Sequence, residues 1–353
     1  MNNFMAPFQP AIRHLTVIEK QMKNLAEVLL ILAFATAVHA QDSTSTVSTN
    51  DVRIIPLVNF QDVPITAVIQ NLARQAELNC LIDPQLEQAW QDSYEPAISC
   101  KIENVTAKFV LRRILELRHL ALLEDAEANL AFIIPERQTT NPLFAHRLSV
   151  ATNSPLLYTN GNIPLIQFSD VPITTAIENL ARQAGVNYMI DPKLGNLWNF
   201  SSPKNVPEPL LNIRFEKVTA KDTLNGILNS YHFILVEDPA TQVARITLAG
   251  EPWPLVDASL LDLNANPTNA FTNGNGVVPL IQFADVPLDD ALKNLIRASE
   301  ANIKLDPRVK PEPQLTLRWE NVTAKQALVA LCQNYGLVIV KDSKTGVIQI
   351  KPR

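Results

Sequence analysis

The 353-residue sequence predicts an α+β chain of three tandem small domains. Each runs strand, helix, strand, strand, helix, strand, strand, with its two helices packed against small sheets. Three observations predict this. Asp62-Val63-Pro64-Ile65 returns as Asp170-Val171-Pro172-Ile173 and as Asp285-Val286-Pro287-Leu288. Asn79-Cys80-Leu81-Ile82-Asp83-Pro84 returns as Asn187-Tyr188-Met189-Ile190-Asp191-Pro192 and as Asn302-Ile303-Lys304-Leu305-Asp306-Pro307. Asn104-Val105-Thr106-Ala107-Lys108 returns as Lys217-Val218-Thr219-Ala220-Lys221 and as Asn321-Val322-Thr323-Ala324-Lys325. The spacing of roughly 110 residues is too long for a solenoid and suits separate beads.

The third repeat shows each element most plainly. Val277 to Phe283 reads as a short strand. Pro287 opens a helix, where its missing donor costs nothing. Leu288, Ala291, Leu292, Leu295 and Ile296 recur at helical spacing and form one buried stripe. Asn302 to Leu305 is a strand stopped by Asp306-Pro307. Leu315, Leu317 and Trp319 alternate with polar residues, which marks a half-buried strand. Thr323 caps a second helix, and Gln326 completes a capping box. Asp222 should do the same for Thr219, whereas Phe109 cannot for Thr106. Gly336 ends that helix, and a terminal hairpin turns at Ser343 to Gly346.

This combination resembles the secretin and TonB N-terminus short domain, the first periplasmic domain of secretins and the signalling domain of some TonB-dependent transducers. The likeness rests on Asp-Val-Pro before the first helix, Asp-Pro after the second strand and Val-Thr-Ala before the second helix, three times over. It implies two helices between small sheets and a role in protein–protein contact, not catalysis. Secretins continue into a pore and transducers into a barrel; neither is expected in this sequence, so the chain is not expected to be a channel by itself.

The boundaries read as a signal-peptide region at 1–40, a linker at 41–53, and repeats at 54–135, 164–250 and 279–353, with linkers at 136–163 and 251–278. Met22-Lys23-Asn24 and the stretch from Leu25 to Val38, apolar apart from Glu27, form a short export signal, with Met22 a candidate true start. The apolar run is shorter than the ~20 residues of a spanning helix, which favours cleavage after Ala40 over a retained anchor. No transmembrane segment is expected in the mature chain. Both inter-repeat linkers end in Thr-Asn-Gly-Asn. Leu255, Val256, Leu260 and Leu261 are candidates to dock on a neighbouring repeat, the alternative being a tether.

Composition narrows the function. Net charge is −5, and no basic run occurs, which argues against nucleic acid. Against 25 prolines there are only nine glycines, which predicts stiff connections. No paired histidines, Cys-x-x-Cys, phosphate loop or Gly-x-Ser-x-Gly elbow appears, so no cofactor, metal or enzymatic site is expected. Asp83, Asp191 and Asp306 read as turn residues, and Asp62, Asp170 and Asp285 as turn or cap groups. Cys80 and Cys100 lie in two strands of one repeat and are a candidate disulfide; their replacement by apolar residues in the other repeats equally fits core positions.

What remains is surface. The first strand of each repeat is a candidate edge for a partner strand: Leu57, Val58 and Phe60; Leu165, Ile166 and Phe168; Leu280, Ile281 and Phe283. The alternative is that a neighbouring repeat covers these edges. Trp90, Tyr94, Trp198 and Phe200, in inserts after the Asp-Pro pairs, are candidate loop anchors; the alternative is that they fold over their own core. The expected function is a non-catalytic adaptor or scaffold, exported to the bacterial periplasm or outer membrane. Its partners would be envelope proteins, such as a secretin assembly, or other copies of itself. A regulator-binding sensor is the second reading and a hydrolase the third.

Overall fold

A computed structural model describes residues 53–139, 161–195, 208–248, 256, 258–261, 263 and 277–353. The expected export signal, the 41–53 linker apart from Arg53, and most of the two inter-repeat linkers lie outside these residues. The protein is a mixed α and β structure with small sheets.

One order of elements occurs three times, with an additional helix after the second strand in the first two repeats. In the first repeat it is β1 (Ile54–Pro64), α1 (Ile65–Gln75), β2 (Asn79–Ile82), α2 (Pro84–Asp92), β3 (Ala97–Thr106), α3 (Ala107–Leu117), β4 (Leu120–Asp125) and β5 (Leu130–Pro135). The second repeat holds β6 (Ile163–Pro172), α4 (Ile173–Ala184), β7 (Tyr188–Ile190), α5 (Pro192–Gly195), β8 (Leu210–Val218), α6 (Ala220–Ser230), β9 (Phe233–Asp238) and β10 (Val243–Leu248). The third holds β11 (Val277–Pro287), α7 (Leu288–Ser299), β12 (Ile303–Leu305), β13 (Gln314–Thr323), α8 (Ala324–Asn334), β14 (Leu337–Lys341) and β15 (Ile348–Pro352). The described residues form two compact units, the first repeat except Ala126–Ala128 in one and the second and third repeats in the other.

Each repeat builds two sheets. The first strand pairs antiparallel with the third, as β1 with β3. The second strand runs parallel to the fifth, which pairs antiparallel with the fourth, giving the order β2-β5-β4. The long helices touch one another and both sheets. In α1, Ile65, Val68, Ile69, Leu72 and Ala73 are buried, and in α3 so are Val110, Leu111, Ile114 and Leu115. This is the predicted helical stripe meeting the inward side of two strands.

Helix starts differ from the sequence reading. Pro64, Pro172 and Pro287 occupy the N-cap rather than the first turn, and no side chain there accepts the free donors. Neighbouring Glu-Pro pairs do this instead. Ile65 N–H donates to Pro96 O at 2.8 Å, and Thr66 donates from its backbone to Glu95 at 2.9 Å. Ile173 and Thr174 use Pro209 and Glu208 in the same way. The second helices are capped by Thr106, Thr219 and Thr323. Only Thr323 and Gln326 form the full box. Asp222 is too short to reach the Thr219 backbone and takes its hydroxyl at 2.6 Å.

Asp62, Asp170 and Asp285 do not cap helices. They lie inside their strands, at bulges where the register shifts by an extra residue, with φ near +50°. Their N–H groups donate to Ser99, Asn212 and Thr316 across the pair. All positive-φ positions among the described residues fall at five such places per repeat. Glu77, Gly185 and Glu300 follow the first helices, and His119, His232 and Gly336 follow the second. Twelve of these fifteen positions carry a non-glycine residue, in strands as well as in turns.

Cys80 and Cys100 are free thiols, which corrects the candidate disulfide. Cys80 is in β2 and Cys100 in β3, strands of different sheets separated by the helix layer. Burial pushes the Cys80 thiol up to about 12, so it behaves as a small apolar side chain.

Thr323→Ala should destabilise the unit holding the second and third repeats by about 1–2 kcal/mol. Thr106→Ala should cost less, about 0.5–1 kcal/mol, because Thr106 is only half-buried, whereas the hydrogen bond lost at Thr323 is buried. Urea unfolding of both variants checks the ranking.

Candidate interaction surfaces

The three predicted edge strands keep one face inward and one outward. Val58, Ile166 and Ile281 are buried; Phe60 and Phe168 are half-buried and Phe283 is buried. Leu57, Leu165 and Leu280 face outward and are 47%, 42% and 43% exposed. Each leucine lies opposite a glutamate, Glu103, Glu216 or Glu320. Each glutamate pairs with a basic residue two positions back on its own strand: Lys101 at 3.8 Å, Arg214 at 2.9 Å and Arg318 at 2.6 Å. Exposed pairs of this kind add little stability. Leucine beside an ion pair is a surface feature written three times.

A sheet of two strands has two edges, so the second strand of the pair matters as much as the first. In the third repeat, the outer edge of β13 is taken by the second repeat. Asn187 Oδ1 accepts from Glu320 N–H at 2.7 Å, and Asn187 Nδ2 donates to Glu320 O at 2.8 Å. One side-chain amide thus replaces a missing strand. Trp319 Nε1 donates to Tyr188 O at 2.8 Å. Asn334 Nδ2 donates to Ile190 O, and Gln326 Nε2 to Ala240 O. Met189, Val243 and the linker residue Leu261 join the buried core of the third repeat, with Val256, Leu260 and Leu263 packed beside it. The predicted docking of the second linker is seen at Val256, Leu260 and Leu261; Leu255 lies outside the described residues.

The aspartates after the second strands form turns, each accepting from the N–H two residues on: Gln85, Lys193 and Arg308. Asp191 also holds a buried ion pair. Arg245 donates to its Oδ2 at 2.6 Å, and Thr247 donates to the same oxygen at 3.1 Å. Asp83 is equally buried, but Phe132 and Ile134 stand at the Arg245 and Thr247 positions, and its Oδ2 has no hydrogen-bond partner among the described residues. Asp306 is paired with Arg308, whose hydrogen bonds lower its carboxyl to about 2.

The candidate loop anchors do not act alike. Trp90 lies on α2, not in a loop, and packs against the first repeat's own core. Tyr94 is 65% exposed beyond the end of that helix. Trp198 and Phe200 lie outside the described residues. His119 and His232 occupy left-handed turns after the second helices. No group of three or more metal-ligating side chains occurs among the described residues. No helix among them is long and apolar enough to cross a membrane. No family model matches the chain, and no curated protein matches it.

Asn187, Gln326 and Asn334 were missed as junction residues. The repeated Asn79, Asn187 and Asn302 carried a signal, because an amide at a strand start can pair with a neighbouring edge. Asn187→Ala should leave the Glu320 backbone unpaired and cost about 2–3 kcal/mol in urea unfolding. Asp306 has a lowered folded-state pKa, so its contribution is present above the ordinary carboxylate range and is lost as pH falls from about 4 to 2. Asp306→Asn should therefore flatten the acid limb of the stability curve in that window.

Proposed function

We propose that this protein is a non-catalytic protein–protein interaction scaffold or adaptor of the bacterial envelope, working beside a secretin-like or related assembly. One observation carries the reading: the leucine and ion-pair surface of Leu57, Leu165 and Leu280 recurs on three two-stranded sheets. A surface repeated at equivalent sites suits multivalent contact, in which several weak sites combine. The export signal read in residues 22–40 and the resemblance to the secretin short domain supply the compartment and the partner class.

The sensor reading draws support from the first repeat, which forms a compact unit by itself. A sensor would bind one regulator through that repeat, whereas a scaffold would engage several.

Leu57, Leu165 and Leu280 are exposed, so substitution by Lys should leave folding intact. Cross-linking of the tagged mature protein in its native envelope should recover an outer-membrane secretin or other assembly proteins. Under the scaffold reading, recovery falls with Leu165→Lys and with Leu280→Lys. Recovery of an inner-membrane regulator alone, lost only with Leu57→Lys, would instead establish the sensor.

A further inference from the structure

The junction between the second and third repeats defines two complementary faces. One is the outer side of the three-stranded sheet of the second repeat, where Met189, Arg245 and Thr247 share a face with Val243. The other is the β13 edge with the far side of α8, where Gln326, Ala330 and Asn334 are buried. Small and amide side chains at those three helix positions let the two repeats approach closely and satisfy the carbonyls they meet.

The outer sheet face of the third repeat and the α3 face of the first repeat correspond to these two faces, and both are altered. On the third repeat, Lys304, Gln349 and Lys351 stand at the positions of Met189, Arg245 and Thr247. Lys304 is exposed, and Gln349 and Lys351 are half-exposed. At the same places the first repeat has Leu81, Phe132 and Ile134, all buried. On the first repeat, Phe109, Arg113 and Leu117 stand where α8 has Gln326, Ala330 and Asn334. Arg113 lies over the Phe109 ring at 5.4 Å and pairs with Glu116 at 2.6 Å. A bulky cation–aromatic stack fills the space that the partner sheet enters at Ala330. Bringing the two altered faces together would bury the Lys304 and Lys351 ammonium groups against the Phe109–Arg113 stack without a partner for their charge.

We infer that these two faces are capping surfaces, which stop copies of this chain from adding head to tail through the interface that joins the second and third repeats. The hazard is real for a repeated fold, because a heterologous interface that does not close produces filaments. Arrays of repeats avoid it with polar outer faces, as Lys304, Gln349 and Lys351 provide here. Asn302, the counterpart of Asn187, keeps the amide that would clamp a next repeat, so the block comes from the side chains around it. The inference is independent of the proposed adaptor role.

The test transplants each face into the full mature chain. One variant carries Lys304→Met, Gln349→Arg and Lys351→Thr; the other carries Phe109→Gln, Arg113→Ala and Leu117→Asn. Sedimentation equilibrium should find the wild type and each variant alone free of association through Asn302. An equal mixture should roughly double in mass as a one-to-one complex. Adding Asn302→Ala to the first variant should abolish that complex. A mixture of folded variants that stays at the monomer mass overturns the inference. So does a wild-type self-association that Asn302→Ala removes. Should a triple variant fail to fold, Lys304→Met mixed with Arg113→Ala gives the same readout.

Discussion

Every feature of this protein depends on burying pairs of short amphipathic helices between sheets too small to stand alone. Helices of 11 or 12 residues are marginal in water, and so is a two-stranded sheet. Ile69 and Leu72 of the first helix and Leu111 and Ile114 of the second fill one shared layer, which each sheet closes from its own side. Removing either sheet would expose one flank of both helices. The polar outer faces and the tight turns are consequences of making so small a layered body close on itself.

Closing it this way leaves backbone groups without partners at two kinds of place. The starts of the first helices are served by the segment that precedes the third strand, through Glu95 and Pro96 or Glu208 and Pro209. The outer edge of β13 is served by Asn187 from the repeat before it. Both are solutions to unpaired buried donors and acceptors. The second ties two repeats into one unit, because the hydrogen-bonding need of one is met by the other. Trp319 shows the coupling most directly, since its ring fills the third repeat's core while its indole N–H reaches Tyr188 of the second.

The helices, their buried stripes, the hairpins and the threonine caps were legible because they depend on neighbours three or four residues apart. The bulges at Asp62, Asp170 and Asp285 were not, since nothing local distinguishes a bulge residue from a helix cap when both precede Pro and a helical stripe. Helix α2 was hidden in a stretch of Gln, Glu and Trp that lacks a buried face of its own. The sequence grouped Leu57, Leu165 and Leu280 as candidates with their inward neighbours, and only burial told the two faces apart. It could not show which of the two strand edges meets another repeat.

The sequence by itself determined an α+β class, a set of motifs written three times, the body of each longer helix, and which side of those helices is apolar. These follow from periodicity, proline and threonine placement, all short-range properties. Only the tertiary structure decided that Cys80 and Cys100 stay apart, that Asp191 gains Arg245 while Asp83 gains no such partner, and that Asn187 clamps the next repeat. Those outcomes depend on groups 20 to 133 residues apart in the chain meeting in one packed layer.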